Sequence, residues 1–322
     1  MRVNAPMPYK TADTSWFARC GFGIAVHWTA KSVPVAGSPL PFAAAVDAFD
    51  VQRFVGQVAD CGADYLLFTL AHALQMLPAP CDRIEKLLPG RTTRRDLVGE
   101  LANACTRRGL RFIAYYNHSC NGGEDPAWEQ AVGYHSADKH ILAENLCGIV
   151  AELGSRYGSA VPAWWFDSPY SLDASGPNRS VTTDMGAFRF PWEEFTAAAK
   201  SGYADRLVTY NPGWEPEVWD FLYTTHQDYL AGEANNLVEA PVSRFAGNGL
   251  QNHRWVCLDN PDWVHARPDT PLCPSRYAWE QLLPYLQAAR AASTPVTFNV
   301  DTDQGGQLLP STLQLLSRLS IR

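Results

Sequence analysis

Eight short apolar runs, most of them separated by segments of helical spacing, restrict this 322-residue chain more than any other feature. The runs are residues 22–28, 63–70, 110–116, 163–167, 207–210, 223–225, 254–258 and 296–300. Their apolar residues are continuous and bounded by turn-forming residues, so each reads as a short buried strand. Between them, Phe54, Val55, Val58 and Ala59 share a helical face after a cap at Asp50, and the pattern stops at Gly62. Thr93 followed by Asp96 predicts a helix start that runs to Arg108 before Gly109. Further helices are expected over 137–157, 192–200, 277–292 and 311–319, whereas those after the fifth, sixth and seventh runs are poorly marked. This alternation predicts an α/β fold, a single-domain (β/α)8 TIM-like barrel over 1–322 with its core at about 16–320. A doubly wound sheet would need a glycine-rich phosphate turn after the first strand, and His27-Trp28-Thr29 is not one.

Polar residues fall mostly at the C-terminal ends of the runs: His27, His72, Asn117 with His118, Asp167, Asn211, Asp259 and Asp301. Barrels of this class build their active sites at that end. Composition narrows the partners. A net charge of −7 argues against nucleic acid, and Arg91, Arg94 and Arg95 read as a solvated surface beside a helix start. The eight cysteines include no CxxC pair and read mostly as buried thiols. No stretch approaches the roughly 20 apolar residues of a membrane span. The first ten residues lack the apolar core of a secretory signal, which points to the cytoplasm unless a leader has been trimmed.

Asp167 closes the run Ala163-Trp164-Trp165-Phe166 and is the first candidate for chemistry. A carboxylate placed after three aromatic rings must face a cleft or be held by partners, because an unpaired buried charge is costly. A strand-end aspartate capping the next turn is the bland alternative. Aromatic walls beside a carboxylate suit sugar cleavage, in which a retaining enzyme needs a nucleophile and an acid/base about 5 to 5.5 Å apart. For the acid/base, later loops offer Glu215, Glu217, Asp228, Glu233, Glu239 and Asp259. Glu233 is preferred, since it follows the sixth run with Gly232 beside it for flexibility, and Glu215 is the weaker candidate. Metal-dependent hydrolysis is disfavoured: no His-x-His pair occurs, and the position two before His27 is Ala25. His27 then reads as a hydrogen-bond donor to a ligand, and no metal or organic cofactor is expected.

Several motifs run in order along the chain: Trp16-Phe17 with Phe22-Gly23-Ile24-Ala25-Val26-His27-Trp28, then Ser32-Val33-Pro34, Cys61-Gly62-Ala63-Asp64-Tyr65 and Arg95-Asp96-Leu97-Val98. Trp165-Phe166-Asp167, Gln227-Asp228-Tyr229 with Glu233, and Phe298-Asn299-Val300 with Gly305-Gly306 complete the series. Together they resemble glycoside hydrolase family 29, the α-L-fucosidases. The resemblance implies a retaining exo-glycosidase with Asp167 as nucleophile, acting on a terminal α-L-fucoside or a related sugar. His27, Trp28, His72, Tyr116 and Trp165 are the expected substrate-binding residues.

The chain departs from the family in three places. The family's His-His pair becomes His72-Ala73, which should reshape the sugar subsite. Arg254-Trp255-Val256-Cys257 stands where many members carry Trp-Glu, and the β-sandwich that commonly follows the barrel in the family is not expected within these residues. A carbohydrate-binding protein that lost hydrolysis is therefore the rival reading, separable by whether a second carboxylate lies near Asp167. Trp128, Trp214, Trp219 and Trp263 read as core before sugar platforms. A carbohydrate is the expected partner, without nucleic acid or membrane, and homo-oligomerisation stays open.

Overall fold

Seven of the eight runs become strands in the computed structural model, which describes residues 11–118, 124–173, 183–213, 221–237 and 250–320. They are β1 (Phe22–Val26), β2 (Tyr65–Ala71), β3 (Arg111–Asn117), β4 (Ala163–Asp167), β5 (Leu207–Tyr210), β7 (Arg254–Cys257) and β8 (Val296–Asn299). The sixth differs. Residues 223–225 form no strand, because Tyr223 packs outward against Trp192 and Phe221; β6 is Glu233–Asn235 instead.

Every ladder is parallel, and the order β5-β4-β3-β2-β1-β8-β7-β6 curls the sheet into a (β/α)8-like barrel that is not fully closed. Between β5 and β6 no ladder forms among the described residues, and the seam is stitched by single bonds. Asp228 N donates to Val208 O at 2.8 Å, Val208 N to Asp228 Oδ2 at 2.9 Å, and Thr209 Oγ1 to Tyr229 O at 2.6 Å. Asp228 also accepts from Ala12 N and pairs with Lys200 Nζ at 2.8 Å. Buried and saturated in this way, it is a structural group rather than an acid/base.

Strand alternation sorts the side chains into two layers. Odd-numbered residues such as Ala25, Leu67, Tyr115, Trp165 and Trp255 fill the barrel, whereas even-numbered ones such as Ile24, Phe112, Trp164 and Val256 pack beneath the helices. Gly23 belongs to the inner set, and a Cβ there would lie 2.1 Å from the Tyr65 ring. That ring crosses the interior to meet Thr297 Oγ1 at 2.7 Å. Phe17 plugs the inner layer edge-on to Tyr65 and Tyr229.

The helices Val51–Asp60, Leu97–Arg107, Lys139–Tyr157, Trp192–Ala199, Trp279–Ala291 and Pro310–Leu319 lie close to their expected positions. Asp50 caps the first by accepting from Arg53 N at 3.0 Å. Asp96, not Thr93, caps the second by accepting from Gly99 N, while the Thr93 hydroxyl turns to Arg95 O. Among the described residues no helix lies between β5 and β7. The arginine cluster is not merely solvated. Arg91 forks onto Asp125 at 2.5 and 2.8 Å, and Arg95 Nη1 donates to the carbonyls of Val46, Asp47 and Phe49. Among the described residues no helix is long and apolar enough to cross a membrane.

Candidate active site

The C-terminal ends of the strands deliver the candidates into one recess. Pairing of Asn117 with Asp167 sets β3 and β4 level at their last residues, and Asn211 N donates to Phe166 O at 2.8 Å one step beyond β5. Asp167 is buried and held by four donors. Its Oδ2 accepts from Tyr115 Oη at 2.5 Å and Asn117 Nδ2 at 3.2 Å; its Oδ1 accepts from Ser168 N at 2.8 Å and Asn211 Nδ2 at 2.9 Å. Ser168 takes a left-handed conformation, φ 65°, to aim that N–H, a strained arrangement of the kind that clusters at functional sites.

Asn211 ties the two carboxylates together. Its Nδ2 also donates to Glu233 Oε2 at 2.6 Å, so the two acceptor oxygens are at most 5.5 Å apart, the sum of the two legs. The amide cannot turn over freely, because Asn211 Oδ1 accepts from Gly213 N. Glu233 is the first residue of β6 rather than a loop residue. Gly232 serves close approach, not flexibility: its φ is 67°, and a Cβ would fall 1.9 Å from His253 O.

The recess, about 270 Å³ including its mouth, is lined by His27, His72, Tyr115, Trp165, Asp167, Glu233, Trp255 and Trp263. Trp165 stacks on Tyr115 at 5.2 Å and meets Trp255 edge-on at 4.4 Å. His27 sits edge-on between His72, at 5.4 Å, and Trp263, at 5.1 Å. Burial, reinforced by the neighbouring His72, pushes the His27 pKa down to about 3, and burial pushes that of His72 to about 4. Both rings are therefore neutral near pH 7. His27 Nδ1 faces Asn299 Oδ1 at 2.9 Å and, with the amide so oriented, must donate to it. Its Nε2 is left to accept from a ligand hydroxyl, the reverse of the expected donor role. Burial, then Asp167, drives the Tyr115 pKa well up, which keeps its phenol protonated and donating.

Five sequence candidates thus converge: Asp167, Glu233, His27, His72 and Trp165. Two do not. Trp28 and Tyr116 carry even numbers and lie in the outer layer, where Trp28 packs on Phe42 and Phe49 and donates to Gln304 O. The residue that reaches Asp167 from β3 is Tyr115. Glu215, Glu217, Glu239, Trp214 and Trp219 lie outside the described residues. Asp259 is buried, with Oδ1 accepting from Asn260 N and Asp301 N, and does not line the recess. Trp128 is core, as expected, but Trp263 is a wall of the recess.

Tyr115, Asn117, Asn211, Trp255 and Asn299 join the five converging candidates, although none is singled out by the sequence as a catalytic or substrate-binding candidate. The signal available was phase: each differs from the inward-facing residue of its own strand by an even number of positions. Among the described residues no group of three or more His, Cys, Asp or Glu side chains could hold a metal ion. The described cysteines are free thiols, with Cys61, Cys81, Cys105 and Cys257 buried; Cys120 lies outside the described residues.

No protein-family model matches the chain, and no curated protein matches it. Solved structures do. The α-L-fucosidase AlfC from Lactobacillus casei, in complex with α-L-fucose product, superposes with a TM-score of 0.63 at 16% identity, over 95% of this chain and 97% of that one. The endo-fucoidan hydrolase MfFcnA4 of glycoside hydrolase family 107 gives 0.69 at 16% identity, over 95% of this chain and 53% of that one. A second enzyme of that family, P5AFcnA, gives 0.65 at 12%, over 97% and 93%. At such identities the similarity shows a shared fold.

Proposed function

We propose that the protein is a retaining glycoside hydrolase acting on an α-L-fucoside or a closely related deoxy sugar. The observation that carries this reading is the Asn211 amide shared by Asp167 and Glu233, which holds two carboxylates at a spacing suited to double displacement. An inverting enzyme leaves roughly 6.5 to 9.5 Å between its carboxyl groups for a water. A binding protein has no use for a second carboxylate there. The choice of sugar is supported by the sequence motifs and by the fold shared with a fucosidase and with fucoidan hydrolases.

Asp167 attacks the anomeric carbon, while Glu233 gives its proton to the departing glycosidic oxygen. Glu233 then takes a proton from water, and the resulting hydroxide displaces Asp167 from the same carbon. Tyr115, Asn117 and Asn211 hold the attacking carboxylate in line and receive it again when the ester breaks. His27 and His72, both neutral, accept ring hydroxyls, and Trp165 and Trp263 enclose the apolar faces.

The test is hydrolysis of 4-nitrophenyl α-L-fucoside by wild type and Asp167→Ala, with a 2-fluoro-fucosyl fluoride used to trap the ester. Wild type should release nitrophenolate and accept one fluorofucosyl group on the peptide containing Asp167, and the alanine variant should lose at least about 10⁴-fold in rate. Wild-type activity in the variant, or a label on another residue, would sink the assignment.

A further inference from the structure

His72 also lines a second hollow, of about 570 Å³ including its open mouth, together with Lys31, Ala73, Glu124, Asp262 and Arg267, among others. The two spaces share His72 and are parted by one loop, with Trp263 facing the recess and Asp262 and Val264 facing the hollow. Residue 73 makes room for it: Ala73 is buried, takes φ 61°, and presents only a methyl group to this space.

The hollow's position relative to Glu233 fixes what it can receive. His72 follows β2, and Glu233 begins β6; in the strand order three strands separate β2 from β6 on either side. The two residues therefore face each other across the mouth. A leaving group protonated by Glu233 departs on the β6 side. What enters the hollow must hang from the opposite end of the ring, from the hydroxyls remote from the anomeric carbon.

Its charges say what kind of group that is. Lys31 is paired with Glu124, and Arg267 Nη2 with Asp262 Oδ2 at 2.7 Å. Each cation is matched by a carboxylate, so the lining offers both donors and acceptors without a net charge from these pairs to attract a sulfate or carboxylate. That suits a polyhydroxylated, uncharged ligand.

We propose that this hollow is a subsite for a second, neutral sugar unit, attached to the distal hydroxyls of the unit whose bond is cleaved. The substrate is then an internal or branched glycosyl unit rather than a bare terminal one. The inference rests on the roles given above to Asp167 and Glu233.

It is tested with 4-nitrophenyl α-L-fucoside and with the same glycoside carrying a second α-L-fucosyl unit at O3 or at O4, reading nitrophenolate release. One extended substrate should exceed the bare one at least tenfold in kcat/KM. Ala266→Trp, a substitution at the exposed rim of the hollow, should abolish that advantage while the bare glycoside is cleaved as before. Cleavage of the bare glycoside with no gain from either extension, or a gain that survives Ala266→Trp, overturns the subsite and leaves the glycosidase reading standing. No release from any of the three, together with no trapped ester, overturns both.

Discussion

The two halves of the barrel are built differently, although the recess draws on both. β1 to β4 are joined by continuous ladders and covered by the helices Val51–Asp60, Leu97–Arg107 and Lys139–Tyr157. β5 to β7 are shorter and carry no helix between them among the described residues, and β5 meets β6 only at a seam of single bonds around Asp228. Asp167 stands on the first half and Glu233 on the second. On the roles proposed above, the carboxylate that must be aimed at a carbon rests on the half with the longer ladders, and the one that only passes a proton rests on the thinner half. Asn211 spans the difference.

The largest effect that would sharpen this contrast is Glu233→Gln. It should cut turnover of a sugar leaving group by about 10² to 10⁴, the usual contribution of a positioned acid/base. It should barely slow a 2,4-dinitrophenyl glycoside in its first step, and added azide should restore turnover. An equal loss for good and poor leaving groups would mean that another residue supplies the proton. Next comes the seam itself. Asp228→Asn removes the charge that holds Lys200 and replaces an acceptor facing a backbone N–H with a donor. A loss of about 3 kcal/mol is expected in urea unfolding, with kcat at low temperature nearly kept; unchanged stability would show that the seam contributes nothing.

Asn211→Ala should reduce kcat by about tenfold, through lost positioning, and alter the pH profile of the carboxylate pair while leaving KM close to its value. A change in KM alone would make the residue a sugar contact. The smallest effect concerns His27. Its folded pKa, about 3, lies below the unfolded value near 6.5, so the unfolded chain binds a proton in that window that the folded one refuses. Stability due to this ring is thus full above pH 6.5 and declines as the pH falls towards 3. His27→Gln should flatten that part of the Tm-against-pH curve, and an unchanged slope would show that the ring already accepts a proton in the fold.

The same contrast explains what the sequence could tell. In the half with the longer ladders, continuous apolar runs and capped amphipathic helices act locally, and β1 to β4 appear within a few residues of where the pattern places them. Asp167 was legible for that reason, as the one carboxylate closing an aromatic strand. In the thinner half, tertiary bonds decide. Residues 223–225 look like a strand but turn their tyrosine outward, and β6 forms only where Gly232 lets the chain press against His253. Tyr116 and Trp28 stand at strand ends along the chain, but which layer a side chain enters depends on phase, and both lie in the outer one. Counting in twos from Trp165 and Asp167 along β4, and likewise along each ladder, selects Tyr115 and Asn117 instead. The link from Asn211 to Glu233 joins residues 22 positions apart, a distance at which nothing local reports a contact.

Asn211 has one more consequence. In the proposed cycle both carboxylates change state, Asp167 between anion and ester and Glu233 between acid and base. The amide between them has no proton to lose or gain over the same pH range, and its other end is fixed to Gly213. It works as a ruler whose length does not depend on what it measures, so the interval set for the first displacement is still there for the second.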